Sequence, residues 1–263
     1  MKKLFIIAIV LAAVLTACGS SVSDATRTGA SELITDITKN LTTALDSLKG
    51  AENAQAANEV AENFRASLSG YADKDSELAK NSDYLLINTD KKLQDLIEEL
   101  ASSLQSFRRA AGGESDAYRL APHAEPAARD MLAAFAELKV YPVVWLNACT
   151  EARNLIGDLT KLMDTSFISL RDAKDGSTAG PALIVYANGV RDLAVRGSDL
   201  EVQYPDFKKA ATDPSLEKPV ADLRAAMVNL GKEINARIKD FEKDADFQSA
   251  RAQMKEILDS IKR

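Results

Sequence analysis

Histidine and cysteine are scarce in this chain, which has one histidine and two cysteines among 263 residues. Zinc sites use several such ligands, and most hydrolases that act through a nucleophile need a histidine base. We therefore expect no metal and no cofactor, and little histidine-dependent catalysis. Glycine and proline are also few, at 12 and 7 residues, while 46% of the residues are hydrophobic. This composition excludes collagen-like and disordered chains and is typical of a folded globular protein.

Basic residues are outnumbered by acidic ones. Lys and Arg total 33 against 39 for Asp and Glu, which gives a formal net charge of −6. Binding to phosphate groups needs a basic surface, so no nucleic-acid partner is expected. The motifs G-x-G-x-x-G, G-x-x-x-x-G-K-[ST], G-x-S-x-G and H-E-x-x-H are absent from the sequence. Composition and motifs thus argue against nucleotide-binding and hydrolase functions.

The chain opens with a short apolar run. Met1-Lys2-Lys3 precedes twelve apolar residues, 4–15. Twelve helical residues rise about 18 Å, which is short of the roughly 30 Å hydrocarbon core of a bilayer. A basic start followed by a short apolar run is therefore interpreted as a secretory signal and not as a transmembrane helix.

The end of this run, Leu15-Thr16-Ala17-Cys18, resembles the lipobox of bacterial lipoproteins. The resemblance implies that residues 1–17 are a signal peptide, that cleavage falls between Ala17 and Cys18, and that the Cys18 thiol takes up diacylglycerol. It also implies acylation of the freed amine, so that two or three chains anchor the protein to a membrane of the bacterial envelope. In the enterobacterial members of that family a residue other than Asp after the cysteine favours the outer membrane, so with Gly19 the resemblance implies an outer-membrane location, with the folded part facing the periplasm or the exterior.

The segment after the cysteine is predicted to be a flexible tether over residues 18–30, because it is rich in Ser, Thr, Gly and Ala. A mainly α domain is predicted over residues 31–263, built as a multi-helix bundle of about six to eight helices. The clearest evidence is an apolar residue at every third or fourth position. One such stripe consists of Trp145, Cys149, Ala152, Ile156, Leu159 and Met163.

At three places the sequence pattern does not clearly predict a continuous helix. Asn81-Ser82-Asp83 either breaks a long helix or lies inside it. Residues 112–126 hold two glycines and two prolines, which favours a bend between two sub-bundles. Residues 182–195 form either a helix or a β-hairpin turning at Asn188-Gly189, and we prefer the helix because an isolated hairpin is marginally stable.

The candidate chemical residues each have a structural interpretation. His123 lies between two prolines and either pairs with Glu125, acts as a lone base, or is an exposed loop residue. Cys149 is expected to be a buried and unreactive thiol because it lies on an apolar stripe. The acidic triplets Asp73-Lys74-Asp75 and Glu242-Lys243-Asp244 are expected to lie on solvated helix surfaces.

The sequence leaves three hypotheses for function. The first is a lipid-anchored envelope protein with a non-catalytic role, either structural or in binding a protein partner. The second is a carrier of a small ligand, with Trp145 and Tyr186 as candidate pocket residues between helices. The third is an enzyme that uses His123 with a nearby carboxylate. The sequence does not predict the oligomeric state.

Overall fold

The structure, a computed structural model, describes residues 22–113, 119–211 and 213–261. These residues form nine α-helices and contain no β-strand, so the mainly helical prediction is confirmed. Helix α7 has four residues, and the other eight are longer. The helices are α1 (Asp24–Lys49), α2 (Ala54–Leu78), α3 (Gln94–Gly112), α4 (Glu125–Ala136), α5 (Tyr141–Asp172), α6 (Gly176–Gln203), α7 (Phe207–Ala210), α8 (Glu217–Asp240) and α9 (Ala245–Ile261).

Residues 182–195 are part of helix α6, so the helical alternative is confirmed and the hairpin is not formed. The helix starts with a capping box in which Asp175 accepts a hydrogen bond from Thr178 N. Gly189, which suggested a turn, lies against α5. A Cβ at this position would be 2.7 Å from Leu162 Cδ1, so glycine lets the two helices approach closely.

The described residues divide into two compact units, one up to Leu146 and one from Asn147 onward. The boundary falls inside α5. Residues 112–126, where a bend between sub-bundles was predicted, instead connect α3 to α4 within the first unit. Helix α3 ends at Gly112 and is capped by Gly113, whose φ of 67° is left-handed and suits glycine at a helix C-terminus.

The first unit is a four-helix bundle in which α1 and α4 each pack against both α2 and α3. Helices α2 and α3 therefore occupy opposite corners, although they follow one another in the chain. Residues 79–93, including a 3₁₀ helix at Tyr84–Thr89, make this diagonal crossing at one end of the bundle. Asn81-Ser82-Asp83 thus breaks the helical pattern. The core includes Leu33, Ile37, Leu41, Phe64, Ile97, Leu100, Phe107, Met131 and Phe135.

The first unit starts earlier than the sequence predicted. Val22 is buried and α1 begins at Asp24, so residues 24–30, assigned above to the tether, are the first turns of a helix. The Ser23 side chain caps this helix by accepting a hydrogen bond from Thr26 N. Ala30 is fully buried against the bundle. Small and hydroxylated residues were mistaken for a linker because their packing partners lie far away in the sequence.

In the second unit α6 packs along α9. A Cβ at Gly180 would lie 3.0 Å from Ala250 Cβ, so small residues allow the close approach of the two helices. The stripe on α5 predicted to be a core stripe is buried at all six positions, Trp145 in the first unit and the other five residues in the second, which confirms that prediction. Other core residues of the second unit are Leu155, Leu170, Leu183, Val190, Leu200, Phe207, Leu223, Leu230 and Phe247.

Candidate functional site

Two surfaces of the chain are candidate functional sites, and the first is the end of the bundle nearest to the predicted anchor. Ala17 and Cys18 lie outside the described residues, the first of which is Val22, four positions after Cys18. We call the end of the first unit formed by residues 22–27, 79–93 and 137–141 the basal end. It holds the start of α1, the crossing between α2 and α3, and the start of α5.

Asp83 fastens the start of α1 to the crossing segment. Its Oδ2 accepts a hydrogen bond from Ser23 N at 2.7 Å, and its Oδ1 accepts one from Thr26 Oγ1 at 2.7 Å. These hydrogen bonds to Ser23 and Thr26 lower the pKa of the Asp83 carboxyl. The first turn of α1 is thereby attached to a residue about sixty positions further along the chain.

Arg27 and Asp90 form a second link between the same segments. Arg27 Nε donates to Asp90 Oδ2 at 2.7 Å, and Arg27 Nη2 donates to the carbonyl of Val22 at 2.8 Å. Asp90 Oδ1 accepts from Lys92 N at 2.9 Å. Partial burial opposes ionisation of Asp90, but the hydrogen bonds from Lys92 and Arg27 outweigh it and lower the pKa of this carboxyl. Both links thus favour the ionised carboxylates.

Acid is expected to weaken these links. The pKa values of Asp83 and Asp90 in the folded protein lie below the ordinary value of an aspartate, so their stabilisation is present above that ordinary value and is lost as the pH falls through the folded-state values. In thermal melts between pH 6 and pH 2.5, Asp83→Asn should melt lower than wild type at pH 6. The decrease in melting temperature from pH 6 to pH 2.5 should also be smaller for this variant than for wild type.

The matched control for this experiment is Asp130→Asn. This carboxylate is 66% exposed and forms a long ion pair, of 3.5 Å, with Arg65. Its melting profile should follow wild type, because exposed ion pairs contribute little. If the melting temperatures of Asp83→Asn and wild type fell by the same amount between pH 6 and pH 2.5, the ionised Asp83 carboxylate would not hold the start of α1 in place.

An aromatic row forms the interior of the basal end. The buried Tyr84 hydroxyl donates to Asp75 Oδ1 at 2.6 Å, and Tyr141 N donates to the same oxygen at 2.9 Å. Burial raises the pKa of Tyr84. The rings of Tyr84 and Tyr141 lie 5.7 Å apart, and those of Tyr141 and Trp145 lie 6.5 Å apart. Trp145, a candidate pocket residue, is 6% exposed and belongs to this packed row.

The outer surface of the basal end carries Leu85 and three lysines. Leu85 is 52% exposed, and its carbonyl accepts a hydrogen bond from Tyr141 Oη at 2.9 Å. Lys91, Lys92 and Lys139 are exposed. The carboxylates Asp75, Asp83 and Asp90 accept hydrogen bonds from internal donors. Asp24 and Glu137 are the exposed acids of the basal end.

The second candidate surface is an open groove between α5 and α8, in the second unit. Its volume is about 460 Å³. Its apolar part comes from Ile156 and Ile168 of α5 and Pro219 of α8, and Lys161, Asp164 and Asp222 stand beside it. Ile168 is 48% exposed. A surface with apolar groups flanked by both signs of charge suits a peptide or a small amphiphilic molecule.

Gly157 lies in this groove facing open space. A Cβ built on Gly157 would meet no atom within 4 Å, so a larger side chain has room to enter the groove from α5. Gly231 on α8 has the same free surroundings and is not among the residues that line the groove. These two helical glycines therefore form a matched pair for testing the groove.

Tyr186, the other candidate pocket residue, does not line this groove. It lies half-buried on α6 in the second unit, and burial raises the pKa of its hydroxyl. Trp145 belongs to the first unit and does not line the groove either. The groove was missed in the sequence because Ile156 was assigned to the core stripe of α5, and because Pro219 and Asp222 come from a helix about sixty residues further along the chain.

His123 and Cys149 both take part in internal contacts. His123 Nε2 lies 2.7 Å from the carbonyl of Ala51 and donates to it, since a carbonyl only accepts. Glu125, the partner in one of the three interpretations of His123, lies 3.7 Å from Arg129 instead. Cys149 is buried, and burial raises the pKa of its thiol, which agrees with the predicted unreactive cysteine.

Two of the acidic residues assigned to solvated surfaces have internal roles. Asp75 accepts hydrogen bonds from Tyr84 and Tyr141, as described above. Asp244 Oδ2 accepts from Gly176 N at 3.1 Å and its Oδ1 accepts from Phe247 N at 3.0 Å, so it holds the starts of α6 and α9 together. No local sequence pattern distinguishes these residues from the exposed acids beside them.

Within the described ranges, no three His, Cys, Asp or Glu side chains come together as a candidate metal site. In the same ranges, no single helix is long and apolar enough to cross a bilayer. The bent pair of α4 and α5 meets that requirement by length and composition when the two helices are taken together. Comparison with protein-family models, with curated proteins and with solved structures gives no match.

Proposed function

We propose that this chain is a lipid-anchored protein of the bacterial cell envelope that binds a partner or supports envelope structure without catalysing a reaction. The observation that carries the proposal is the lipobox-like Leu15-Thr16-Ala17-Cys18 after a short apolar run. A thiol at Cys18 is the acceptor for diacylglycerol, and two or more acyl chains hold a protein firmly on a membrane. Gly19 favours the outer membrane as its location.

The arrangement of the folded part supports this proposal. Val22 and Ser23 are fixed to the bundle only a few residues after Cys18, so the bundle lies close to the membrane that holds the lipid. His123 and Cys149 are the strongest candidates for catalysis in the sequence. His123 is hydrogen-bonded to the Ala51 carbonyl, and Cys149 is buried. The groove between α5 and α8 is the surface we assign to partner binding.

A second candidate function is the transport or storage of a small ligand in the same groove. The observation that favours it is the groove volume of about 460 Å³, which is within the range of small-molecule sites. Ligands with an apolar body and polar ends fit the mixture of Ile156, Ile168 and charged side chains. This version of the carrier hypothesis uses neither Trp145 nor Tyr186.

One pair of variants tests the groove for both functions. Gly157→Trp is expected to fill the groove, whereas Gly231→Trp adds the same side chain elsewhere on the same unit. Detergent-solubilised envelope should yield a protein or peptidoglycan partner on crosslinking to wild type and to Gly231→Trp, with at least a five-fold loss for Gly157→Trp.

The same variants distinguish a partner from a small ligand. A carrier would show a rise in melting temperature with one member of a metabolite panel, and Gly157→Trp would abolish that rise. Conversion of a small substrate by wild type, without recovery of any partner, would contradict both proposals. Equal crosslinking of the two tryptophan variants would show that the groove is not the binding surface.

A further inference from the structure

The basal end is confined to the neighbourhood of the lipid if Cys18 is the anchor. Three residues separate Cys18 from Val22, and the four residue-to-residue steps between them span at most about 14 Å when fully extended. Val22 is buried, and Ser23 N is hydrogen-bonded to Asp83. The anchor therefore leads directly into a rigid part of the bundle, so the basal end stays at the bilayer surface.

The charge of the basal end differs from that of the whole chain. Residues 22–27, 79–93 and 137–141 contain five basic and four acidic side chains, whereas the whole chain carries −6. Three of those acids are paired or hydrogen-bonded within the chain, namely Asp24, Asp83 and Asp90. The fourth is Glu137, which is exposed.

Three lysines of the basal end, in contrast, face solvent. Lys91, Lys92 and Lys139 are exposed, and the charge of Lys92 helps to lower the pKa of the neighbouring Asp90 carboxyl. Two of them follow Asp90 directly, on the segment that Arg27 and Asp83 fasten to α1. An anionic lipid surface attracts nearby lysine side chains. Three such side chains at one end of a tethered domain favour orientations in which that end faces the lipid.

Leu85 adds an apolar contact on the same end. It is more than half exposed, although its neighbours Tyr84 and Ile87 are buried. The hydrogen bond from Tyr141 Oη to its carbonyl and the burial of Tyr84 fix this 3₁₀ helix, so Leu85 is presented rigidly to the outside. A single leucine binds a bilayer weakly, but the tether keeps its local concentration at the surface high.

We propose that the basal end docks on the anionic headgroup surface of the membrane that holds the anchor, with Lys91, Lys92 and Lys139 facing the headgroups and Leu85 inserted between them. This inference rests on the proposed lipidation of Cys18. Docking orients the bundle with its opposite end, at residues 50–54 and 121–124, away from the bilayer.

Amide hydrogen exchange of the mature protein on vesicles tests this orientation. The protein is placed on vesicles with 30% phosphatidylglycerol or on vesicles of phosphatidylcholine alone. With phosphatidylglycerol, exchange at residues 84–93 should slow at least three-fold, whereas exchange at residues 50–54 and 121–124 should not change. Lys91→Glu/Lys92→Glu and, separately, Lys139→Glu should reduce this protection. The control Lys49→Glu, at the far end of α1, should keep it.

The same sample distinguishes failure of the docking proposal from failure of the proposed lipidation of Cys18. Intact mass of the same sample shows whether Cys18 carries lipid. If it does not, the proposed anchor has failed, and the Cys18 thiol is coupled to a maleimide phospholipid so that the docking surface is still tested. Equal exchange at both ends, equal protection on phosphatidylcholine alone, or protection kept by the glutamate variants would overturn the docking proposal.

Discussion

Cys18→Ala is expected to move the protein from the membrane pellet to the soluble fraction of lysed cells. Without the thiol no diacylglycerol is attached, and each acyl methylene that is lost removes about 0.8 kcal/mol of membrane binding. Two acyl chains of ordinary length therefore account for essentially all retention, so more than nine-tenths of the variant should be soluble. The three lysines and Leu85 of the basal end bind too weakly to hold the protein without the anchor.

The second cysteine provides the matched control. Cys149→Ala also removes one thiol, but that thiol is buried on α5 with its Sγ 4.0 Å from the Ala210 carbonyl. This variant should stay in the pellet through a high-salt and carbonate wash, as wild type does. A soluble Cys149→Ala, or a Cys18→Ala variant that remains in the washed pellet, would show that retention does not depend on the predicted lipid.

Gly176→Ala is expected to destabilise the protein by about 3 kcal/mol, because its methyl group would displace a carboxylate that caps two helices. A Cβ at Gly176 would lie 2.1 Å from Asp244 Cγ. Asp244 is short and accepts from both Gly176 N and Phe247 N, so it cannot move away without losing these hydrogen bonds. Urea unfolding followed by circular dichroism measures the loss.

Two further variants show whether the mechanism is the clash with Asp244. Gly231→Ala places the same methyl group in open space inside α8 and should stabilise the protein by about 0.5–1 kcal/mol, because alanine favours a helix over glycine. Gly176→Ala/Asp244→Ala should lose less than the sum of the single changes, since the double variant removes the clash. Additive losses would contradict this mechanism.

Helix periodicity predicted much of this fold because it depends on local pattern. The stripe from Trp145 to Met163 is buried as expected, and α6 passes through residues 182–195 as preferred. The ambiguity at Asn188-Gly189 arose because a glycine that allows close helix packing looks the same in sequence as one that allows a turn. Its role becomes visible only when Leu162 of the neighbouring helix is placed against it.

The basal end was beyond the reach of sequence patterns. Asp83 and Ser23 are far apart in the chain, and the composition of residues 18–30 favoured a tether where the structure has the first turns of α1. Asp75 and Asp244 likewise lie in charged triplets that are typical of solvated surfaces. Carboxylates that hold a fold together are recognised by their donors, and the donors are brought to them by tertiary structure.

Intact mass spectrometry of the protein purified from the membrane of its own host, or of a bacterium that processes lipoproteins, tests the central claim most directly. The account predicts a chain that starts at Cys18 and carries diacylglycerol on the thiol, with a further acyl group on the amine. An unmodified Cys18 thiol, or a mature chain that starts at another residue, would contradict it.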